Sequence, residues 1–278
     1  MAKKKHWNKL NEYTAIHGNQ GSYDSNNTES IKKIWNERAI SGKEKLPDKL
    51  QHELETNSLI KHISPSDKVL DVGCGSGCSS FIISNHCSEI IGVDYAKELI
   101  KKAKNKRKIS NLKFQEGDIT NLNFEDKTFD KVMTQRVLIN LATIENQLIA
   151  IKEIHRVLKD DGIFLMLETN KQGLKNLNKV RETFKLDPII PPWHNLPIDE
   201  SMFFDQTSDL FECISQINFG NYFFLTRIIH PILVYPEKPS YTNKINRVAF
   251  EISDKEIDFA KDYSQVKIFV LRKISSNI

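Results

Sequence analysis

After Pro65 the sequence alternates short β-rich runs with helical stretches, and this alternation limits the fold more than any other feature of the chain. Strands that are separated by helices form parallel sheets, because each helix returns the chain to the same end of the sheet. The predicted strands are Lys68–Val72, Glu89–Val93, Leu112–Gln115, Lys131–Thr134 and Ile163–Leu167. The predicted helices between them are Cys78–Asn85, Lys97–Lys108 and Ile144–Leu158. The sequence therefore predicts an α/β fold with a doubly wound, mostly parallel sheet.

The chain before this alternation has a different pattern. Between residues 28 and 63, apolar residues recur at three- and four-residue spacing, which predicts two helices ahead of the sheet. Residues 1–27 are rich in Asn, Gly, Ser and Tyr and are expected to form a loose arm or a lid. We therefore assign residues 1–64 to an N-terminal arm and helical cap, and residues 65–278 to the main domain.

The chain after residue 168 also departs from the alternation. A proline-rich stretch, taken as an insertion at about residues 169–200, leads to a predicted helix near Glu200–Ser215. Two β-rich runs follow, Tyr222–Ile229 and Gln265–Leu271. We expect these two runs to close the sheet as an antiparallel hairpin, which brings the predicted sheet to seven strands.

The composition is that of an ordinary globular protein, with 39% hydrophobic and 27% charged residues. The 40 basic and 36 acidic residues leave a net charge of +4, too small to indicate a nucleic acid or a membrane surface as partner. No apolar run approaches the ~18 residues that span a bilayer, so we expect a cytoplasmic protein. The four cysteines are too few for a disulfide framework and lack a second pair for zinc, which predicts free thiols and no metal.

The strongest local motif is the glycine-rich run Val69–Gly77, which reads V-L-D-V-G-C-G-S-G where the first predicted strand turns into the first helix. Glycines there permit positive φ and let a ligand approach the backbone, at the edge where doubly wound sheets bind ligands. A dinucleotide fingerprint reads G-x-G-x-x-G, whereas this loop reads G-x-G-x-G. Asp71 within the motif would repel a pyrophosphate and attract an ammonium or sulfonium group. The motif thus favours a cationic ligand over NAD.

Two further acidic residues follow the next two predicted strands. Asp94 ends the second strand, where it could accept hydrogen bonds from ribose hydroxyls, and Asp118 follows the third strand, where it could contact an exocyclic amine. Because the carboxyl ends of parallel strands share one edge, these two residues and Asp71 are expected to line one cleft. An adenosine joined to a cationic amino acid fits this cleft better than a phosphorylated nucleotide.

With these residues, the chain resembles the class I S-adenosylmethionine-dependent methyltransferases over about residues 67–168. Val69–Gly77 resembles the first motif of that superfamily, Ile91–Asp94 the acid of its second strand, and Gln115–Ile119 its adenine-contacting motif. The other matching segments are Phe129–Leu141 and Ile154–Glu168. The resemblance implies a Rossmann-like methyltransferase fold, an enzyme that uses S-adenosylmethionine, and S-adenosylhomocysteine as the product.

The resemblance also implies a role for each matching residue. Asp71, Gly73 and Gly75 would border the methionine moiety of the cofactor, and Asp94 would hold the ribose. Gln135, at the end of the fourth strand, would face the methionine end or the methyl acceptor. The remaining implied cofactor-binding residues are Cys74 and Tyr95, next to Gly73 and Asp94, and Asp118 and Ile119 at the adenine.

The segment after the fifth strand is where such folds usually contact the acceptor, and here Pro191–Glu200 reads P-P-W-H-N-L-P-I-D-E. His194 is the predicted general base, because imidazole titrates near neutral pH and a hydroxyl acceptor must lose a proton. Trp193 and Asn195 are predicted substrate contacts, and one acid of Asp199-Glu200 is a candidate partner for the imidazole. His194 could instead cap a helix or satisfy a loop carbonyl group.

Outside the core, three segments resemble, more loosely, bacterial methyltransferases of surface-polysaccharide and modified-sugar biosynthesis. They are Trp35–Ala39, Arg136–Leu141 and Leu177–Asn195. The resemblance implies O-methylation of a sugar, a nucleotide-sugar or a related precursor, with Arg38 or Arg136 receiving an anionic group and Asn140 as a further contact. Both arginines could equally form surface ion pairs.

Other functions stay open at this level. The acceptor could be an amine or a carboxylate, and a protein that binds the cofactor without catalysis would keep the same cleft. RNA methylation is disfavoured, because the basic run Lys101–Lys108 occupies an outer helix face where solvated charge is expected. The Asn/Asp-Pro-Pro-aromatic loop of amino-methylating DNA enzymes is replaced here by Thr134–Asn140. We therefore predict a small-molecule partner and no nucleic acid, and the oligomeric state stays open.

Overall fold

A computed structural model describes residues 28–43, 47–255 and 259–275 of the chain. A seven-stranded sheet runs through it in the order β3-β2-β1-β4-β5-β7-β6. The strands are β1 (Lys68–Val72), β2 (Glu89–Asp94), β3 (Leu112–Glu116), β4 (Phe129–Gln135), β5 (Leu158–Thr169), β6 (Phe211–Asn218) and β7 (Val266–Lys273). The first five strands are parallel, and β7 lies antiparallel between β5 and β6. The predicted doubly wound, mostly parallel seven-stranded fold is confirmed.

Helices cover both faces of this sheet. They are α1 (Thr28–Ser41), α2 (Lys49–Ile60), α3 (Cys78–Ile83), α4 (Lys97–Lys106), α5 (Ile144–Val157), α6 (Lys171–Thr183), α7 (Glu200–Thr207), α8 (Gly220–Phe224), α9 (His230–Val234) and α10 (Lys244–Asp254). A π-helical turn, Leu225–Ile229, joins α8 to α9. In the part of the chain that the structure describes, no helix is both long and apolar enough to cross a bilayer.

The strands divide their side chains between two hydrophobic cores. Leu70 and Phe164 belong to the core on one face, whereas their neighbours Val69 and Leu165 belong to the core on the other. This division follows from the two-residue repeat of a β-strand, and the central strands read as continuous apolar runs because both of their faces are buried. Helices α5 and α7 contribute to the first core, and α2, α4, α6, α8 and α10 contribute to the second.

The two helices predicted ahead of the sheet are present as α1 and α2. Leu54 and Leu59 of α2 are buried in the same core as Val69 of β1. Helix α1 packs in a separate, smaller cluster, in which its Trp35 and Ala39 contact the start of α4 just after β2. Helix α1 therefore reaches the carboxyl edge of the sheet. The predicted arm, residues 1–27, lies outside the described residues, and the predicted division at residues 64 and 65 stays a prediction.

The C-terminal part differs from the sequence prediction. Tyr222–Ile229, predicted as a strand, is helical, and the strand that pairs with β7 is instead Phe211–Asn218. The helix predicted near Glu200–Ser215 ends at Thr207. Six of the eight residues of Tyr222–Ile229 are aromatic or aliphatic, so the periodicity of this short run does not distinguish a buried helix from a buried strand. Helices α6 and α10 lie in stretches for which the sequence predicted no element.

Candidate active site

The glycine-rich loop joins β1 to α3 at the carboxyl edge of the sheet. The backbone N–H groups of Gly73 and Cys74 both donate to the Val93 carbonyl oxygen, at 2.7 and 3.0 Å, which ties the loop to β2. Gly73 has a φ of +73°, and a Cβ atom there would lie 2.3 Å from Val137. Gly75 has a φ of +56°, and nothing lies within 4 Å of the place its Cβ atom would occupy. The loop follows a left-handed path that requires glycine and leaves open space over Gly75.

Asp94, the last residue of β2, anchors this loop. Its carboxylate accepts hydrogen bonds from the backbone N–H of Gly75 at 2.9 Å and of Ala96 at 2.8 Å, one on each oxygen. Burial raises the pKa of Asp94 to about 6, although both backbone hydrogen bonds act to lower it. Each carboxylate oxygen can accept a second hydrogen bond. The residue predicted to hold the ribose therefore keeps the capacity to accept from two hydroxyl groups.

Asp71 is a second buried carboxyl group at this edge. Its Oδ2 accepts a hydrogen bond of 2.5 Å from the Ser80 hydroxyl of α3. Burial raises the pKa of Asp71 to about 7; the Ser80 hydrogen bond acts to lower it, and the nearby Asp94 adds to the increase. Burial also raises the pKa of the Cys74 thiol, with Asp71 and Asp94 contributing. Cys74 is therefore a neutral lining residue of the loop.

The predicted adenine-binding residues follow β3. Asp118 Oδ1 accepts hydrogen bonds from the backbone N–H and the hydroxyl of Thr120, at 2.8 and 2.7 Å. Ile119 is buried in the core next to it. Tyr95 directly follows Asp94; burial raises its pKa, and the charges of Asp94 and Asp118 raise it further. The predicted cofactor residues after β2 and β3 thus lie at one corner of the carboxyl edge.

The charge of these acids is not compensated by basic side chains. Across residues 28–43, 47–255 and 259–275, no ion pair involves Asp71, Asp94 or Asp118. A carboxylate held out of water without a counter-ion is costly, which is why burial raises the pKa of the first two. At pH values above these raised pKa values, the edge carries a negative charge that a cation can neutralise.

Gln135, the last residue of β4, takes part in a chain of hydrogen bonds that sequence reasoning missed. The Ser79 hydroxyl donates to Gln135 Oε1 at 2.5 Å, and His52 Nε2 lies 3.0 Å from the Ser79 Oγ. The Gln135 Nε2 atom is buried and has no hydrogen-bond partner among the described residues. No local pattern in the sequence indicates these hydrogen bonds, because the three residues that form them lie on α2, α3 and β4.

Glu168, near the end of β5, is a second residue that sequence reasoning missed. Its side chain is completely buried, and it accepts hydrogen bonds from the backbone N–H groups of Val137 and Leu138 at 2.9 Å and of Ile139 at 3.4 Å. Burial raises the pKa of Glu168 to about 7. Glu168 thus holds the turn that follows β4. Its position, an acid at the end of a central strand, was the one available signal.

We expect Glu168→Ala to lower the free energy of unfolding by about 3 kcal/mol, because it leaves three buried N–H groups without an acceptor, each costing ~1–3 kcal/mol, while it removes a costly buried charge. Glu168→Gln should cost less, since its amide oxygen can still accept from Val137 and Leu138. Urea unfolding measures the free energy of unfolding of both variants and of the wild type. The exposed Glu116 at the end of β3 is the matched control, and Glu116→Ala should change stability by less than about 0.5 kcal/mol. A Glu168→Ala variant as stable as wild type contradicts this role.

Arg136 is paired with a buried carboxylate that the sequence did not indicate. It follows β4 with a φ of +59°, and its Nη1 lies 2.6 and 2.7 Å from the two carboxylate oxygens of Glu55 in α2. The Glu55 side chain is completely buried. Because Glu55 already neutralises the guanidinium, the expectation that Arg136 receives an anionic group of the substrate loses its basis. The pair instead fixes α2 to the end of β4, and it is buried rather than a surface ion pair.

The predicted base lies in an aromatic cluster between α1 and the segment after β5. His194 is buried, and its ring centroid is 6.3 Å from Trp35 and 5.4 Å from Trp193, both in edge-to-face geometry. The Arg38 guanidinium carbon lies 4.9 Å from the Trp35 ring centroid, and burial lowers the pKa of Arg38. The described residues provide no carboxylate that pairs with Arg38. The structure therefore brings together three predicted acceptor residues and adds Trp35 to them.

The predicted contacts Asn140 and Asn195 lie on adjoining segments. The Leu196 backbone N–H donates to the Ile139 carbonyl at 2.7 Å, which joins the segment after β5 to the turn after β4. The Asn140 amide nitrogen donates to the Arg136 carbonyl at 2.6 Å. The Oδ1 atoms of Asn140 and Asn195 are both buried without a hydrogen-bond donor in the described part of the chain. Two acceptor atoms are thus available to a ligand there.

The acids proposed as partners of the imidazole are engaged by lysines. Asp199 accepts from Lys171 at 3.2 Å and also caps the N-terminus of α7. Glu200 lies 2.8 Å from Lys267. Both carboxylates therefore have a counter-ion already, which argues against either one as the partner of His194. Among the described residues, no group of three His, Cys, Asp or Glu side chains has the arrangement of a metal site.

Comparison with known proteins places this site in a family. A protein-family model described as a methyltransferase domain matches residues 63–214, more than half of the chain. A demethylmenaquinone methyltransferase from Staphylococcus haemolyticus is 30% identical over 140 residues, which are 48% of this chain and 57% of that protein. "Uncharacterized protein MJ1252" from Methanocaldococcus jannaschii is 31% identical over 168 residues, 56% of this chain and 61% of that protein. The chain thus spans less than two thirds of the length of these curated relatives.

Solved structures agree at the level of the fold. A chain from the complex between the Haloferax volcanii Trm112 methyltransferase activator and a methyltransferase superposes with a TM-score of 0.58 at 16% identity. The match covers 86% of this chain and 96% of that chain. At this identity the likeness concerns the fold alone. Together with the family match over residues 63–214, the glycine loop and the acids at the strand ends, the chain belongs to the methyltransferase domain family.

Proposed function

We propose that this chain transfers the methyl group of S-adenosylmethionine to a small-molecule acceptor, with S-adenosylhomocysteine as the product. The observation that carries the proposal is the set of carboxylates Asp71, Asp94 and Asp118 at the carboxyl edge of the sheet, which form no ion pairs in the described structure. Such a site attracts a sulfonium or an ammonium group and repels a polyphosphate. Membership of the methyltransferase domain family supports the same reaction class.

The residues of the cleft fit this cofactor. Asp94 has acceptor capacity for the ribose hydroxyls, and the open space over Gly75 allows a ligand to approach the backbone. Asp118 would accept from the adenine amine beside the apolar Ile119, and Asp71 would face the positively charged methionine end. When bound, the cofactor supplies an activated methyl group on a cationic sulfur. The chain has to hold the acceptor in line with that group and keep water away from it.

We propose His194 as the group that accepts the proton of the acceptor. It is buried between Trp35 and Trp193, so bulk water has little access to its ring. A general base within hydrogen-bond reach contributes typically 10²- to 10⁴-fold in rate when the acceptor must lose a proton. A hydroxyl acceptor is therefore the substrate type that makes full use of this residue.

The acceptor that we propose is a polar small molecule such as a sugar or a nucleotide-sugar. The amide oxygens of Asn140 and Asn195 can accept hydrogen bonds from its hydroxyl groups, and Arg38 can receive an anionic substituent. Neither relative reported above is named for a sugar, and the Staphylococcus haemolyticus relative is named for demethylmenaquinone. The sugar assignment therefore rests on these three side chains and on the looser sequence resemblance.

Calorimetry tests the cofactor assignment. We expect S-adenosylmethionine and S-adenosylhomocysteine to bind to the purified chain, and NAD and ATP to give no measurable heat of binding, because both carry polyphosphates into a negatively charged cleft. Uptake of NAD or ATP together with no response to the two adenosyl compounds contradicts the proposal.

Turnover assays test the acceptor assignment. The chain is incubated with S-adenosylmethionine and, in separate reactions, with sugars and nucleotide-sugars, amines, carboxylates and bulk RNA, and methylated products are identified by mass spectrometry. A methyl ether on a hydroxylated acceptor is the expected product. Methylated amines or acids correct the acceptor class, and cofactor binding without turnover in any reaction assigns a binding protein instead. RNA methylation, with binding that falls steeply with salt, contradicts the small-molecule partner.

A further inference from the structure

We propose that His52 is a positioning residue for the cofactor: through Ser79 it holds the Gln135 amide so that Nε2 donates a hydrogen bond to the carboxylate of the methionine moiety. This inference rests on the proposed function, since it names which group of the same ligand Gln135 binds. The three residues come from α2, α3 and β4, and they meet beside the glycine loop.

The direction of the chain of hydrogen bonds follows from counting hydrogens. The Ser79 hydroxyl has one hydrogen, and it donates it to Gln135 Oε1 at 2.5 Å. At the 3.0 Å contact with His52 Nε2, Ser79 Oγ must therefore be the acceptor and the imidazole the donor. Burial lowers the pKa of His52, so the neutral ring, which carries a single N–H, is the form to consider, and the hydrogen lies on Nε2. His52 on α2 therefore determines, through Ser79, which way the Gln135 amide is oriented.

As a consequence, the Gln135 amide has a buried N–H donor without an acceptor among the described residues. With Oε1 occupied by Ser79, the NH₂ end of Gln135 is the free end, and its Nε2 is buried without a partner in residues 28–43, 47–255 and 259–275. Buried N–H groups are almost always hydrogen-bonded, and leaving one unsatisfied costs about 1–3 kcal/mol. An acceptor atom on a ligand removes that cost.

The position of Gln135 identifies the part of the ligand that it meets. Thr134 of β4 pairs with Val72 of β1, so Gln135 follows at the level of Gly73, the first residue of the glycine loop. The methionine end of the cofactor, which we place at this loop, carries an ammonium, a sulfonium and a carboxylate. Only the carboxylate accepts a hydrogen bond, because the ammonium has no lone pair and the positive charge of the sulfonium makes its sulfur lone pair a poor acceptor for an N–H donor.

Charge balance leads to the same assignment. Asp71 and Asp94 suit the two cationic groups of this moiety, but they would repel its carboxylate. Arg136 follows Gln135 in the chain, yet its Nη1 is engaged by both carboxylate oxygens of Glu55. A neutral amide donor that is locked in one orientation can hold a carboxylate beside the two acids without adding a competing cation.

The test compares S-adenosylmethionine with its decarboxylated form, which keeps the adenosine, the sulfonium and the ammonium and lacks only the carboxylate. His52→Leu removes the donor to Ser79, whereas His52→Gln places an amide N–H near the position of Nε2. We expect His52→Leu to weaken binding of S-adenosylmethionine about tenfold, the size of one hydrogen bond to a charged group. Binding of the decarboxylated compound should stay unchanged, and His52→Gln should restore most of the affinity for S-adenosylmethionine.

Two controls separate positioning from folding and from the function itself. His62, which follows α2, contacts none of these residues in the described structure, and His62→Leu should bind both compounds as wild type does. If His52→Leu weakens both compounds equally, or neither, the positioning role is wrong. If the wild-type chain binds neither compound, the proposed function itself is wrong. Wild-type binding of both with no preference for the carboxylate form contradicts only the inference about Gln135.

Discussion

Replacing His194 by alanine should lower kcat by about 10²- to 10⁴-fold while the affinity for S-adenosylmethionine stays close to that of wild type. The physical reason is location: His194 lies in the aromatic cluster with Trp35 and Trp193, whereas the carboxylates assigned to the cofactor lie at the ends of β1 and β2 and after β3. The measurement is steady-state turnover with the acceptor identified by the mass-spectrometric assay, together with calorimetry of cofactor binding.

His155 provides the matched control for this variant. It lies on α5, is half-buried, and its Nε2 is 3.1 Å from the Ile274 carbonyl oxygen, away from the glycine loop and the segment after β5. His155→Ala should leave both kcat and cofactor affinity unchanged. Wild-type turnover by His194→Ala removes that imidazole from the mechanism. Loss of turnover together with a large drop in the melting temperature assigns His194 to the packing of the cluster instead.

Asp94→Ala should have the second largest effect, a loss of affinity for S-adenosylmethionine of about 100-fold or more. The variant removes an acceptor for two ribose hydroxyls, each worth about 1.5–3 kcal/mol as a hydrogen bond to a charged group. It also releases the backbone N–H of Gly75, which the carboxylate holds at 2.9 Å in the wild-type loop. The titration is best run at pH 8, because burial raises the pKa of Asp94 to about 6 and the acid is fully ionised only above that value.

Stability is the control for this prediction. Asp94→Ala leaves the backbone N–H groups of Gly75 and Ala96 without this acceptor but also removes a charge that burial disfavours, so the free energy of unfolding should fall by less than the free energy of cofactor binding does. Asp160, an exposed acid near the start of β5 that pairs with Lys127, serves as the matched variant, and Asp160→Ala should bind the cofactor as wild type does. Equal affinity of Asp94→Ala and wild type contradicts the ribose assignment.

The parallel sheet and its cofactor edge were predictable from the sequence because both depend on local patterns. The order of strand, glycines and helix around Gly73 and Gly75 is a property of adjacent residues, as are the acids Asp94 and Asp118 at the strand ends. Parallel pairing then brings these residues to one edge without further information. The structure places all of them there, and the wrong prediction for Tyr222–Ile229 shows the limit, since a short and mostly apolar run does not show whether its period is that of a helix or of a strand.

The interactions that orient the site depend on pairs that are far apart in the chain. Arg136 and Glu55 are 81 residues apart, and the links from His52 to Ser79 and from Ser79 to Gln135 span 27 and 56 residues. An arginine next to a strand end is consistent with an anion site until a buried carboxylate from another helix is seen to neutralise it.

The sequence by itself therefore determined the fold class, the edge of the sheet where the candidate site lies and the acidic residues of that edge, because each of these follows from short-range order. Only the tertiary structure decided which polar atoms are already satisfied by protein partners and which are left for a ligand. That distinction arises from packing between distant segments, and at this site it separates Arg136, which is paired, from Gln135 and Asn140, which each keep a polar atom without a partner among the described residues.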